Sequence, residues 1–89
     1  MPVRYRVAIV PAAQRQLSKL PRKVRERIDE GIRGLAENPR PPGSKKLEGA
    51  DDFHRIRVGE YRTVYQIKDK ELLVIVVRIG HRREVYRSR

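Results

Sequence analysis

The sequence predicts an α+β domain: an N-terminal strand, a helical hairpin, then an antiparallel meander of three or four strands, with the helices packed on one sheet face. Three observations predict it. Val3, Tyr5, Val7 and Ile9 recur at every second position; residues 11–35 repeat apolar side chains every three or four positions; and from Phe53 onward three apolar runs are separated by tight-turn sequences. At 89 residues the chain is expected to be a single domain, residues 1–89, and a body this small buries only roughly 60% of the surface its unfolded chain exposes. There is no cysteine and no histidine or cysteine pair at ligand spacing. Neither a disulfide nor a structural zinc is therefore expected to staple it, which leaves a partner as the remaining source of added stability.

In "VRYRVAIV" the residues Val3, Tyr5, Val7 and Ile9 fall on one face and Arg4 and Arg6 on the other, the period of a half-buried strand. Pro11 suits the first turn of a helix, where its missing donor would be unpaired anyway. Ala13, Leu17 and Leu20 give that short helix one apolar side. After Pro21, a second helix carries Val24, Ile28, Ile32 and Leu35 inward while Arg25, Glu26, Asp29, Glu30 and Arg33 face water. "ENP" at Glu37–Pro39 ends it, because proline cannot donate and restricts the residue before it. Gly31 and Gly34 inside this helix are read as permitting close packing, and "RPPGSKK" as a loop.

The meander reads "FHRIRV", a turn at Gly59-Glu60, "YRTVYQIK", a turn at Asp69-Lys70, then "LLVIVVRIG". With Gly59 and Glu60 as the two turn residues, Val58 opposes Tyr61, Arg57 opposes Arg62, and Arg55 opposes Val64. Arg55, Arg57 and Arg62 then share one face, and Ile56, Val58, Tyr61 and Tyr65 the other. Like charges directly across a strand pair are destabilising. Sequences tolerate such conflicts mostly at functional sites, and an anion over that face would resolve this one.

Twenty-two Lys and Arg against eleven Asp and Glu give a net charge of +11, which attracts a polyanion such as nucleic acid or an acidic lipid surface. A plain solvated basic surface is the competing reading. "LLVIVV" is far below the roughly 20 residues of a membrane span, and the N-terminal apolar run is too short for a signal sequence, so a cytoplasmic protein with no membrane role is expected. No phosphate-cradling glycine loop, metal-ligand set or serine or cysteine nucleophile arrangement is present. A helix-turn-helix over residues 11–37 is disfavoured because the faces that would enter a groove mix acids with bases.

Cleaving RNA without a metal needs a group to take the 2′-hydroxyl proton, cations for the charge on the phosphorane, and help for the leaving oxygen. Arginine suits the second task, since its planar fork offers two parallel hydrogen bonds and stays charged at any relevant pH, but it does not act as a base there. Candidate bases are His54, His81, Glu84 and the tyrosines. His81, beside Arg82 and Arg83, has the intrinsic pKa for proton transfer. Tyr86 could stack on a base, contact a phosphate or donate a proton. His54 is expected on the core-facing side of its strand, and Tyr61 and Tyr65 as core aromatics. Arg4, Arg6, Arg22, Arg25 and Arg27 are assigned to solvated faces or loose phosphate contacts.

"KLEG" at Lys46–Gly49, "YRTVYQI" at Tyr61–Ile67 and "IGHRREVY" at Ile79–Tyr86, in this order of elements, resemble the RelE branch of the RelE/ParE toxin superfamily over nearly the whole chain. The resemblance implies a RelE-like fold and a type II toxin, an mRNA interferase that enters the ribosomal A site and cuts by 2′-hydroxyl attack on the scissile phosphate. It implies catalytic roles for Arg62, Arg82 and Tyr86; beside these, His81 is the first choice of proton acceptor unless the arginines act purely by electrostatics, and Arg55, Arg57, Arg83, Lys45 and Lys46 are expected RNA contacts. Arg55 and Arg57 stand where the best-known members have lysines, which removes the most obvious base. The implied partners are an acidic RelB-like antitoxin, the ribosome and mRNA, with DNA contacted only through the antitoxin complex; no cofactor or metal is implied. The alternatives are a ParE-like DNA gyrase inhibitor without nuclease activity and a catalytically degenerate, antitoxin-binding homologue.

Overall fold

The computed structural model describes residues 4–49 and 52–81. Strand β1 (Arg6–Ile9) leads into helices α1 (Pro11–Ser18) and α2 (Arg22–Gly34). Strands β2 (Lys45–Lys46), β3 (Phe53–Val58), β4 (Tyr61–Lys68) and β5 (Leu73–His81) follow. They form one five-stranded sheet in the order β1-β5-β4-β3-β2. The α+β architecture is the expected one, and two details extend it. The N-terminal strand runs parallel to β5, closing a mixed sheet, and Lys45–Lys46, expected in a loop, make a two-residue antiparallel pairing with β3.

Helix α1 begins at Pro11 as its sequence requires, and α2 presents Ile28, Ile32 and, just past its last turn, Leu35 to the sheet. These meet Ile56, Tyr65, Ile67, Val74, Val76 and Ile79 in one cluster with Ala13. Truncating any one of the buried isoleucines to alanine leaves a void costing about 2–5 kcal/mol. Gly31 lets α2 approach β3: a Cβ there would lie 3.4 Å from Cδ1 of Ile56 and 3.7 Å from Cγ2 of Val58. Gly34 has no such neighbour within 4 Å, so the packing role read for it is not needed.

Side chains and backbone cover the sheet where it would otherwise fray. The Tyr5 N–H donates to the Ala36 carbonyl at 2.7 Å, and Gln14 Nε2 to the Ile9 carbonyl at 2.9 Å, so β1 does not present a bare edge. Beyond the end of β1, Gln16 Oε1 accepts the Ile79 N–H at 2.7 Å. At the other end of the sheet, Asp69 accepts from Arg40 through both carboxylate oxygens, at 3.2 and 2.8 Å, and from the Tyr5 hydroxyl at 2.6 Å. That cluster ties the N-terminal segment, the loop after α2 and the 3₁₀ turn Asp69–Glu71 together.

Candidate nucleic-acid interface

The β3–β4 hairpin has the register its turn predicts: Val58 opposes Tyr61, Arg57 opposes Arg62, and Arg55 opposes Val64. Gly59 occupies the left-handed region at φ +59°, which a two-residue hairpin turn asks of its first position. Ile56, Tyr65 and Ile67, the residues of β3 and β4 in the core cluster, fall on the helix-covered face, so Arg55, Arg57 and Arg62 share the other, helix-free face.

Strand β5 adds a cation that strand alternation hides. Val74 and Val76 point into the core opposite Ile67 and Tyr65, and strict alternation would send Arg78 after them. Instead Val64 pairs with Arg78 while Tyr65 pairs with Val76, leaving Val77 as an extra, bulged residue. The bulge reverses the parity, so Ile79 enters the core and Arg78 joins the helix-free face. Two rows of side chains result. One runs Lys45, Arg55, Val64, Arg78 across four strands; the next runs Arg57, Arg62, Gly80. Arg62 has Arg57 directly opposite, and Arg55 and Arg78 as its two diagonal neighbours, at roughly 7–8 Å.

Sequence reasoning did not foresee how deeply two of these cations sit. Arg55 is 8% exposed and Arg62 is 7% exposed, whereas Arg57 is exposed. Among the described residues the ion pairs are Arg4–Glu37, Arg22–Glu26, Arg33–Asp29 and Arg40–Asp69, so no carboxylate pairs with Arg55, Arg57 or Arg78. Taking a guanidinium out of water with no anion beside it is unfavourable, and a bound phosphate would relieve it. A cleft of about 300 Å³ opens on this flank, lined by Pro42, Gly43, Lys45, Arg55, Ile56 and Arg57. It holds three cations and no acid. Lys45 is set there because the Tyr65 hydroxyl donates to the Pro39 carbonyl at 2.7 Å, pinning the loop that runs into β2. Lys46, one residue on, is on the opposite side of that strand, across from His54.

The other expected site residues divide. Arg82, Arg83, Glu84 and Tyr86 lie outside the described residues. His81 does not join the arginines: it opposes Tyr61 on the helix-side face, its ring edge-on to the tyrosine at 5.7 Å between centroids. Strand alternation after the bulge separates it from Arg62, whose partner is Gly80. His54 is buried on the core side as expected, stacked on Tyr65 at 5.9 Å, and burial pushes its pKa below the ordinary 6.5. Burial likewise raises the Tyr65 phenol. Arg4, Arg6, Arg22 and Arg27 are exposed and Arg25 partly buried. Among the described residues no three His, Cys, Asp or Glu side chains gather as metal ligands, and no helix is long and apolar enough to cross a membrane.

A sheet backed by helices on one face and presenting Lys45, Arg55, Arg57, Arg62 and Arg78 on the other defines a small α+β domain with a strongly basic sheet face. The sequence profile of the ParE toxins of type II toxin–antitoxin systems, parDE, matches residues 7–86. The chain belongs to that family, and its relatives place it in the RelE branch of the RelE/ParE superfamily. It is 36% identical over 84 residues to toxin RelE of Mycobacterium tuberculosis, covering 93% of this chain and 87% of that protein. It is 35% identical over 78 residues to the mRNA interferase toxin RelE of Escherichia coli K12, covering 83% and 81%. The toxin–antitoxin complex RelBE2 of M. tuberculosis contains a chain that superimposes with a TM-score of 0.78 at 30% identity, over 91% of this chain and 94% of that one. The protein is a RelE-like toxin of a type II toxin–antitoxin system.

Proposed function

We propose that this toxin is an endoribonuclease that cleaves mRNA in the ribosomal A site without a metal ion, by attack of a 2′-hydroxyl on the adjacent phosphate. The observation that carries the reading is the helix-free face, where Arg55, Arg57 and Arg62 converge beside a cleft lined by three cations and no acid. The E. coli relative named an mRNA interferase supports it. Arg62, central in the array, stabilises the charge that grows on the phosphorane, and Arg55, Arg57 and Lys45 hold the neighbouring backbone. Arg82 adds a second cation at the scissile phosphate, Tyr86 stacks on or protonates the leaving nucleotide, and Arg83 and Lys46 make outer contacts. The neighbour solved as a toxin–antitoxin complex supports an acidic antitoxin, RelB-like, as the cytoplasmic partner, with DNA reached only through that complex.

His81, on the far face beside Tyr61, serves in this reading to pack that tyrosine rather than to take the proton. His81→Asn is expected to keep the wild-type pH–rate profile. A pH–rate profile altered by His81→Asn would restore His81 as the proton acceptor.

Primer extension on a defined message, with purified toxin and ribosomes stalled with an empty A site, tests the reading directly. Cuts should require the ribosome and fall roughly 10²–10³-fold with Arg62→Ala. The ParE description of the matched family keeps a gyrase inhibitor as the second reading; DNA breaks in poisoned cells whose messages stay intact would select it.

A further inference from the structure

We propose that Arg78 and Arg55, flanking Val64, form a second phosphate subsite that holds the nucleotide link next to the scissile one. The inference rests on the nuclease reading and assigns Arg78 as a positioning residue. Three observations carry it.

The first is the bulge. Between Tyr65–Val76 and Val64–Arg78 the ladder gives up one residue, Val77, and the consequence is that a guanidinium emerges on the helix-free face instead of entering the core. The second is placement. Val64 is paired with Arg55 on one side and Arg78 on the other, so the two arginines bracket one apolar residue whose exposure is 7%. Their row lies two residues along the strands from the Arg57–Arg62 row, a step of about 6.6–6.8 Å, comparable to the separation of successive phosphates in a nucleotide chain. The third is pairing. Arg55 is more than nine-tenths buried, and neither it nor Arg78 has a carboxylate within ion-pair distance among the described residues. Arg55 and Arg78, on either side of Val64 on one sheet face, can each offer a fork to one of the two non-bridging oxygens that share the single negative charge of a phosphodiester.

The bracket also explains why the array is two rows deep. A single row would stabilise one phosphate but let the chain pivot about it. Two rows fix the direction of the strand, and direction places the attacking 2′-hydroxyl in line with its phosphate.

The test is a chemical double-mutant cycle in the ribosome assay. Wild-type toxin and Arg78→Gln are compared on a normal message and on messages in which one link, 5′ or 3′ of the scissile phosphate, is replaced by a neutral methylphosphonate. For one of the two links, wild type should need roughly tenfold more toxin to reach half-maximal rate. Arg78→Gln should show the same loss on the normal message and no further loss on the modified one. Arg78→Lys, which keeps the charge, should retain sensitivity to the link and confirms that the variants fold alike. Independent, additive losses, or an Arg78→Gln toxin indistinguishable from wild type on the normal message, would overturn the subsite while leaving the nuclease reading intact. A wild type that cuts no message overturns the nuclease reading itself, and the subsite with it.

Discussion

Arg55 combines two properties that rarely coexist: it is 8% exposed, and no carboxylate pairs with it among the described residues. A buried, uncompensated cation is retained for function at the expense of stability. Arg55→Met, similar in length and uncharged, is therefore expected to raise the unfolding free energy by about 1 kcal/mol while weakening cleavage; urea melts and primer extension on the same preparation check both signs. His54 has the reverse character. Burial holds its pKa below 6.5 in the folded chain, so it is neutral there, and the neighbouring Arg40 and Lys46 charges push the same way while Asp52 opposes them. The unfolded chain binds the proton more readily. Stability is thus full above the unfolded value and declines as pH falls from there through the folded one. Urea midpoints measured at pH 7.5 and at pH 5 should differ by more in wild type than in His54→Phe, which keeps the stack on Tyr65 and removes the titration. The imidazole's location was legible because alternation along "FHRIRV" assigns it to the core side. The depth of Arg55 and Arg62 was not, since charge alone argues for exposure and burial depends on what the neighbouring strands bring alongside.

The hairpin shows what an element can reveal before any coordinates exist. A two-residue Gly-Glu turn has only one register that keeps the arginines out of the core, and that register is the one observed. Gly59 at φ +59° makes the turn sensitive: Gly59→Val forces a β-branched residue into left-handed geometry, at a cost of about 1–2 kcal/mol. It should also slow cleavage, because Arg57 and Arg62 form the second residue pair from the turn; thermal melts and turnover report the two effects separately. Strand β5 was less transparent. Read as plain alternation, "LVIVVRIGH" sends Arg78 inward and Ile79 outward, and the charged residue at an inward position was the signal that a bulge intervenes. Strand β2 could not be read at all, since two lysines carry no periodicity, and it exists because Tyr65 fixes the preceding loop through Pro39. The Arg40–Asp69–Tyr5 cluster joins segments distant in sequence and was equally invisible. The Arg40 hydrogen bonds, with the Tyr5 hydroxyl, lower the Asp69 carboxyl from 3.8 to about 2, so its contribution is full above 3.8 and lost as pH falls through about 2. Asp69→Asn should lower the melting temperature modestly at pH 7 and leave the protein less sensitive to acid.

Across the whole molecule the charge is +11, and Lys45, Arg55, Arg57, Arg62 and Arg78 lie together on the face the helices leave bare. Association with any polyanion should therefore depend on salt. For single-stranded RNA each phosphate held contributes roughly −0.7 to the slope of log affinity against log salt; removing a cation of the array should make that slope shallower, whereas removing Arg22, exposed on α2, should leave it unchanged. A helix-covered core on one side and a cation array on the other let each be altered with little effect on the other, except where one strand serves both. Strand β5 is that place, and its bulge holds one residue, Val77, outside the ladder. Deleting any single residue from Val74 to Val77 lets the chain close up across that spare position, with valine or isoleucine still facing inward at every core site. Deleting Ile79 or Gly80 has no such remedy, since Arg78 then falls on a core position, while deleting Arg78 keeps the core but puts Val77 in its place on the helix-free face. A chain shortened by one residue in the valine run is thus expected to keep both its core and its cation face, which a thermal melt of the deletion variant checks.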